Sequence, residues 1–448
     1  MIITNATIVT WEIPNRILYG YAIVISHSKI IQIGLQNDLL NQYPTEEVLD
    51  AKGQWLMPGL ICAHTHFYGT FSRGLYIPPP APADFPQILE KLWWPLDQSL
   101  LAEDVKYSAL VCMIDAIKHG TTTLFDHHAS PNFIEGSLDV IEGAFIKSGI
   151  RGVVCYEVTD RGGMNKASEG IQENLNMINK LSSVSENQLV RAIFGMHASL
   201  TLSEETLSRC RELLPANTGI HIHTAEHWVD EYDSINKSGV RVIERLKKHD
   251  FLGKNSLFVH GVHLDHTEIQ MLIDSQTWLS HQPRSNLNNA VGLGDIDSQL
   301  RAGLKVCLGN DGFSNAMWDE WRTCYLAHKG WNRDPRRMGA DSVVDIAINN
   351  NSDLVTQFFN GSRIGRIEVG AKADLILVDF DPITEVTVDN LPWQIIFGFR
   401  DSMVTTTIVN GNILMRDRKL TTLDEKEISQ KAKELSKGVW QRYLNQFS

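Results

Sequence analysis

Apolar and polar residues alternate in two different ways along the chain. At both ends the chain is rich in β-branched residues and punctuated by Asn and Gly, which predicts strands over 2–10, 20–34, 373–380 and 403–415. Asn410 and Gly411 form an NG pair, which signals a tight hairpin because both turn positions need positive φ. The two ends are therefore expected to pair into one small sheet structure.

The middle of the chain is different. Eight short β-like runs stand at 60–66, 121–127, 151–157, 190–197, 219–223, 256–260, 278–281 and 305–311. Helical patterns separate most of them, for example over 102–118 and 203–214, and the last barrel helices are expected over roughly 319–350. Eight β/α units in about 250 residues is the size of a TIM barrel. The expected fold is α/β: a (βα)8 barrel over 58–366, with a composite β-sandwich from 1–57 and 367–448, the latter ending in a helix.

Each run ends on a polar or ionisable residue: His66, His127, Glu157, His197, His223, His260, His281 and Asp311. Carboxyl ends of barrel strands carry the active site. Generic strand ends would use Ser, Asn or Lys as readily as His. Six histidines at eight ends, drawn from 16 in the chain, point to a metal or acid–base site.

Composition narrows the function classes. The formal charge is −12 over 448 residues, which argues against nucleic acid as the main partner. No apolar run reaches transmembrane length, so no membrane partner is expected. The start, MIITNATIVT, lacks the form of a signal peptide. The six cysteines include no CxxC pair, so free thiols in a cytoplasmic location are expected.

His64 and His66 stand two apart on a strand and share one face, so both can chelate a divalent metal. His223 and Asp311 lie at later strand ends, at spacings that suit whole β/α units. Three His and one Asp make an N/O ligand set that suits zinc, with Fe(II) or Mn(II) as alternatives.

MPGLICAHTH, HTAE, FVHGVHL, SHQPRSNLNN and LGNDG, in that order, resemble the amidohydrolase superfamily. The branch is the cytosine/guanine deaminase and chlorohydrolase-like (ATZ/TRZ) one. VLDAKGQWLMPG and VGAKADLILVDF resemble that branch's small β-sandwich. LWWPLDQSL, DHHASP and PRSNLNNAVG look most like SsnA-type aminohydrolases.

The resemblance implies a metal-dependent hydrolase of C–N bonds, an aminohydrolase that deaminates a purine-, pterin- or pyrimidine-like heterocycle by attack of metal-activated hydroxide. A cyclic amide or amidine hydrolase, or a triazine-type hydrolase removing alkylamine or halide, uses the same attack. His64, His66, His223 and Asp311 would hold one ion per chain, since the fourth strand ends without the Lys or Glu that bridges two metals. Glu226 would shuttle protons, and His260 and Asp311 would act on the attacking water. A small-molecule substrate and a homodimer are also implied.

His197 is implied as a substrate contact. Arg284, Asn286, His127 and Phe313 are further candidates at the barrel mouth, each with a structural alternative. Arg161 and Trp318 are weaker ones. His128 is either a contact or a structural hydrogen-bonding residue. His221 is expected to pack one layer below the metal, His263 to be structural, and His281 to support the site from behind. The proline-rich loop 77–86 reads as a lid, a dimer contact or a surface loop, with 87–94 packing it down.

Overall fold

The structure is a computed structural model that describes residues 1–182, 188–359 and 361–448. Eight parallel strands form a ring: β1 (Leu60–Thr65), β2 (Thr121–His128), β3 (Arg151–Tyr156), β4 (Val190–Ala192, resuming as Phe194–Ala198), β5 (Ile220–Thr224), β6 (Leu257–His260), β7 (Trp278–His281) and β8 (Val306–Leu308). Parallel bridges at Val158–Met196 and Thr65–Asp311 join the two halves and close the barrel. β1, β2 and β3 are buried along their whole length, as parallel strands covered on both faces must be.

The helices between strands coat the outside. Ala102–Lys118 falls where the periodicity placed it, and Glu204–Leu213 begins after a Ser203 side-chain cap. The last helices run further than the expected 350. After Met317–Asn332 and Ala340–Val344, a π-helical stretch Asp345–Asn350 leads into Asn351–Phe358. Asn351 explains the extension: its side chain accepts from Leu308 N and donates to the Ile61 and Leu308 carbonyls, stitching the seam between β8 and β1.

β8 is shorter than its apolar run. A Cβ at Gly309 would lie 2.6 Å from His64 N, so the chain leaves the strand there. Asp311 then adopts φ 58° and hydrogen-bonds across to β1.

The chain ends form two further sheets. One pairs strands 29–35, 21–26, 2–4 and 48–50. The other has seven strands and interleaves both ends, with 375–378 between 404–409 and 55–58. Ile3, Ile8, Ile23, Leu56, Leu375 and Ile408 are the shared core. Asn410 and Gly411 take φ 53° and 79°, the hairpin turn that the NG pair predicts. The terminal helix Glu425–Leu444 packs on Ala102–Lys118 of the barrel. Among the described residues no helix is long and apolar enough to cross a membrane. All six cysteines are free and buried.

Candidate active site

The carboxyl ends of the strands bring the predicted histidines together. His66 follows β1, and its Nδ1 donates to the His127 carbonyl at 2.6 Å. His223 on β5 donates Nδ1–H to the His197 carbonyl at 2.8 Å. A neutral imidazole carries one N–H, so both Nε2 atoms are left as lone pairs. They face each other at 3.2 Å. Two buried lone pairs at that distance repel unless positive charge lies between them.

Two more donors meet them. Asp311 Oδ1 is 3.0 Å from His66 Nε2 and 3.6 Å from His64 Nε2. His64 Nε2 is buried and has no hydrogen-bond partner. Three bare nitrogens and a carboxylate oxygen are the donor set of a divalent cation, so the residues fit one. The electrostatics agree. Burial drives His64 down to about 3 and opposes charge on His66 too, yet Asp311 and Glu157 carry His66 up to about 9. Positive charge is thus favoured at this point, carried either by a proton on His66 or by a divalent ion. Against its burial, the neighbouring His64 and His66 rings hold Asp311 well below the usual carboxylate range.

Glu226, His260 and Asp311 cluster beside these donors. Glu226 follows Ala225, whose φ of 49° turns the chain after β5. Its Oε2 is 3.4 Å from His260 Nε2, and Asn289 donates to Oε1 at 3.3 Å. Burial first, and then the charge of Asp311, push its carboxyl well above the ordinary range. A carboxyl in this setting can hold a proton at neutral pH. His260 pairs Nδ1 with Asn286 Oδ1 at 2.8 Å, and burial keeps its ring neutral.

A narrow pocket opens from this cluster. The helical segment Phe85–Asp97, where an amphipathic 87–94 was expected, supplies Phe85, Leu89, Trp93, Trp94 and Asp97 to its wall. The proline-rich loop leads directly into this wall.

Of the expected substrate contacts, His197 lines the pocket. The other four do not. Arg284 is occupied by the buried Glu320 carboxylate and the Ser314 carbonyl. Asn286 holds His260. His127 is fully buried below the donors, donating to the His221 carbonyl. Phe313 is partly exposed beneath the Arg284 guanidinium. His281 pairs with His328 at 3.0 Å, away from the pocket. Trp318 is core.

Sequence reasoning missed Trp93, Trp94, Asp97 and Asn289. A carboxylate inside the aromatic run LWWPLD was the available signal. It also gave no role to Glu157, which lies buried 3.3 Å from both His66 Nδ1 and His127 Nδ1, its carboxyl raised to about 8 by burial.

A closed parallel barrel whose histidine cluster fits a divalent metal, with a buried carboxyl beside it that can hold a proton, is the arrangement of a metal-dependent hydrolase. The chain belongs to the amidohydrolase family, whose model matches residues 55–414. It is 33% identical over 425 residues to a 5′-deoxyadenosine deaminase of Methanobrevibacter smithii, covering 92% of each chain. It is 29% identical to a 5-methylthioadenosine/S-adenosylhomocysteine deaminase of Acetivibrio thermocellus, covering 98% of this chain and 99% of that one. An adenosine deaminase of Xanthomonas campestris with bound zinc superposes with a TM-score of 0.85 at 23% identity over 98% of both chains. The zinc complex of the atrazine chlorohydrolase TrzN of Arthrobacter aurescens gives 0.82 at 20% identity, over 97% of this chain and 99% of that one. The chain is a metal-dependent aminohydrolase, a hydrolase of carbon–nitrogen bonds.

Proposed function

We propose that the protein deaminates a 6-aminopurine nucleoside with one zinc ion, held by His64, His66, His223 and Asp311. The observation that carries the reading is the grouping of Glu226, His260 and Asp311 beside the bare nitrogens of His66 and His223, at the inner end of an aromatic pocket. The named activities of the relatives and the zinc in two structural neighbours support substrate class and metal.

When bound, a divalent ion brings the ionisation of water down to about pH 7. The chain's own groups supply the rest. Asp311, ionised and hydrogen-bonded by the Ser285 hydroxyl, and His260, neutral, take the proton of the attacking water. Glu226 holds a proton at Oε2 or Oε1 and gives it to the ring nitrogen next to the attacked carbon. Water's oxygen replaces the exocyclic amine, which receives the water's proton back through Asp311 and leaves as ammonia, while the remaining hydroxyl proton returns to Glu226. Trp93, Trp94 and Phe85 offer flat faces to a purine. Asp97 ties Oδ2 to Arg161, while its buried Oδ1 has no partner. A ribose hydroxyl is the donor that suits it.

The test is ammonia release by zinc-loaded protein from 5′-deoxyadenosine, 5′-methylthioadenosine, adenosine, guanine and a triazine. Turnover of the adenine nucleosides is expected. Asp97→Asn should raise KM for them more than it lowers kcat. Glu226→Gln should keep its zinc and lose about 10²- to 10⁴-fold in kcat. Ammonia from guanine or the triazine alone would overturn the substrate assignment, and a fully active Gln variant would remove Glu226 from the chemistry.

A further inference from the structure

Below the donors lies a second layer of histidine with no part in the chemistry above. His221 precedes His223 by two residues and shares its strand face. It is fully buried and stacks on His127, with ring centroids 4.4 Å apart. Its Nε2 is 2.9 Å from His64 Nδ1, and its Nδ1 is 3.7 Å from Cys155 Sγ. The Cys155 thiol is also within reach of the Asp126 carbonyl, at 3.6 Å.

This chain of polar groups has two proton arrangements. In one, Cys155 S–H donates to Asp126 O, His221 Nδ1–H donates to Cys155 Sγ, and His64 Nδ1–H donates to His221 Nε2. Every donor then has an acceptor, and His64 Nε2 is a bare lone pair. In the other, all three protons point the opposite way, and His64 Nε2 carries hydrogen. Its nearest carboxylate oxygen, on Asp311, is 3.6 Å away, and it has no hydrogen-bond partner. A buried N–H left unpaired is costly. The first arrangement is therefore favoured by the fold itself, before any metal arrives.

We propose that His221, backed by Cys155, is a positioning residue for the metal: it fixes the His64 tautomer so that Nε2 faces the donor set with its lone pair. This rests on His64 being a ligand. The hydrogen-bond acceptor behind a ligating imidazole orients the ring and strengthens its donor atom. His66 and His223 use backbone carbonyls for this, whereas His64 uses a side chain and is therefore open to mutation.

The test compares His221→Phe, which keeps a ring against His127 but removes the acceptor, with His221→Gln, whose amide oxygen can still accept. The full-length proteins are stripped of metal, and zinc affinity is measured by competition with a chelator. The Phe variant should bind zinc about 10- to 100-fold more weakly than the wild type, and Gln should recover most of the loss. Wild-type affinity in the Phe variant, or equal losses in both, overturns the proposal. His66→Ala runs alongside: undiminished zinc binding there would instead break the ligand assignment itself. If the Phe variant does not fold, Cys155→Ala serves, since it orphans His221 Nδ1–H. A loss of about fivefold is expected from one hydrogen bond, and unchanged affinity overturns the proposal.

Discussion

Replacing Asn286 by Asp tests the electrostatic design of the site. Asn286 Oδ1 accepts His260 Nδ1–H at 2.8 Å in a fully buried setting. Burial lowers the affinity of His260 for a second proton, and this hydrogen bond partly offsets that. An aspartate here would bring a full charge to the same place. Two unit charges about 4 Å apart at an effective dielectric of 20 interact by about 4 kcal/mol, or about 3 pKa units. Desolvation of the new carboxylate cancels part of this, leaving an upward shift of about 1–3 units. The sign follows directly. In the proposed role His260 works as a neutral base, so activity is lost as pH falls through its pKa. Raising that pKa moves the acid limb of the kcat/KM profile to higher pH. The assay is that profile for zinc-loaded wild type and Asn286→Asp. Asn286→Ala is the control: it orphans the Nδ1–H at a cost of about 1–3 kcal/mol, lowering kcat/KM roughly tenfold to a hundredfold. An Asp variant with the wild-type acid limb would refute the role given to His260.

Two predictions concern stability. Arg151 on β3 and Asp374 form a bidentate ion pair, both essentially unexposed, and Asp374 also accepts from Asn410 N at 2.7 Å. Asp374→Ala strands the guanidinium and should cost about 3–5 kcal/mol by denaturant titration; a loss under about 1 kcal/mol would contradict the buried pair. Gly411→Ala places a Cβ 2.1 Å from the His27 carbonyl in a residue at φ 79°. The backbone alone should cost about 1–2 kcal/mol before the collision is counted, so an unchanged melting temperature would sink the turn assignment.

The donors were legible because each sits at the end of an apolar run, and the barrel's topology converts that one-dimensional position into a shared mouth. The pocket wall was not. Trp93, Trp94 and Asp97 belong to a helical segment between β1 and β2, and its periodicity shows only that one side is buried, not what it faces. Arg284 misled for a related reason. Its place in the chain is at the mouth, but Glu320 on Met317–Asn332 approaches from a helix 36 residues later and takes its charge. Pairing between distant segments decides whether a strand-end cation meets ligand or protein.

Backbone strain is a second quantity that the sequence conceals. Ala225, His260 and Asp311 all adopt positive φ, of 49°, 72° and 58°. None is glycine, and such positions each cost of order 1 kcal/mol or more. A reading of the sequence looks for this conformation at glycines and passes over these three. Yet each turns the chain at a strand end, setting Glu226, His260 and Asp311 within reach of one another. A relaxed strand would continue its alternation and send the next side chain to the other face. The strain is held by ladder hydrogen bonds on either side, such as Gly261 N to Thr224 O at 3.0 Å and Asp311 N to His64 O at 3.1 Å. The acid–base cluster is therefore a product of the closed barrel, which explains why its residues were recognisable by type while their mutual geometry was not.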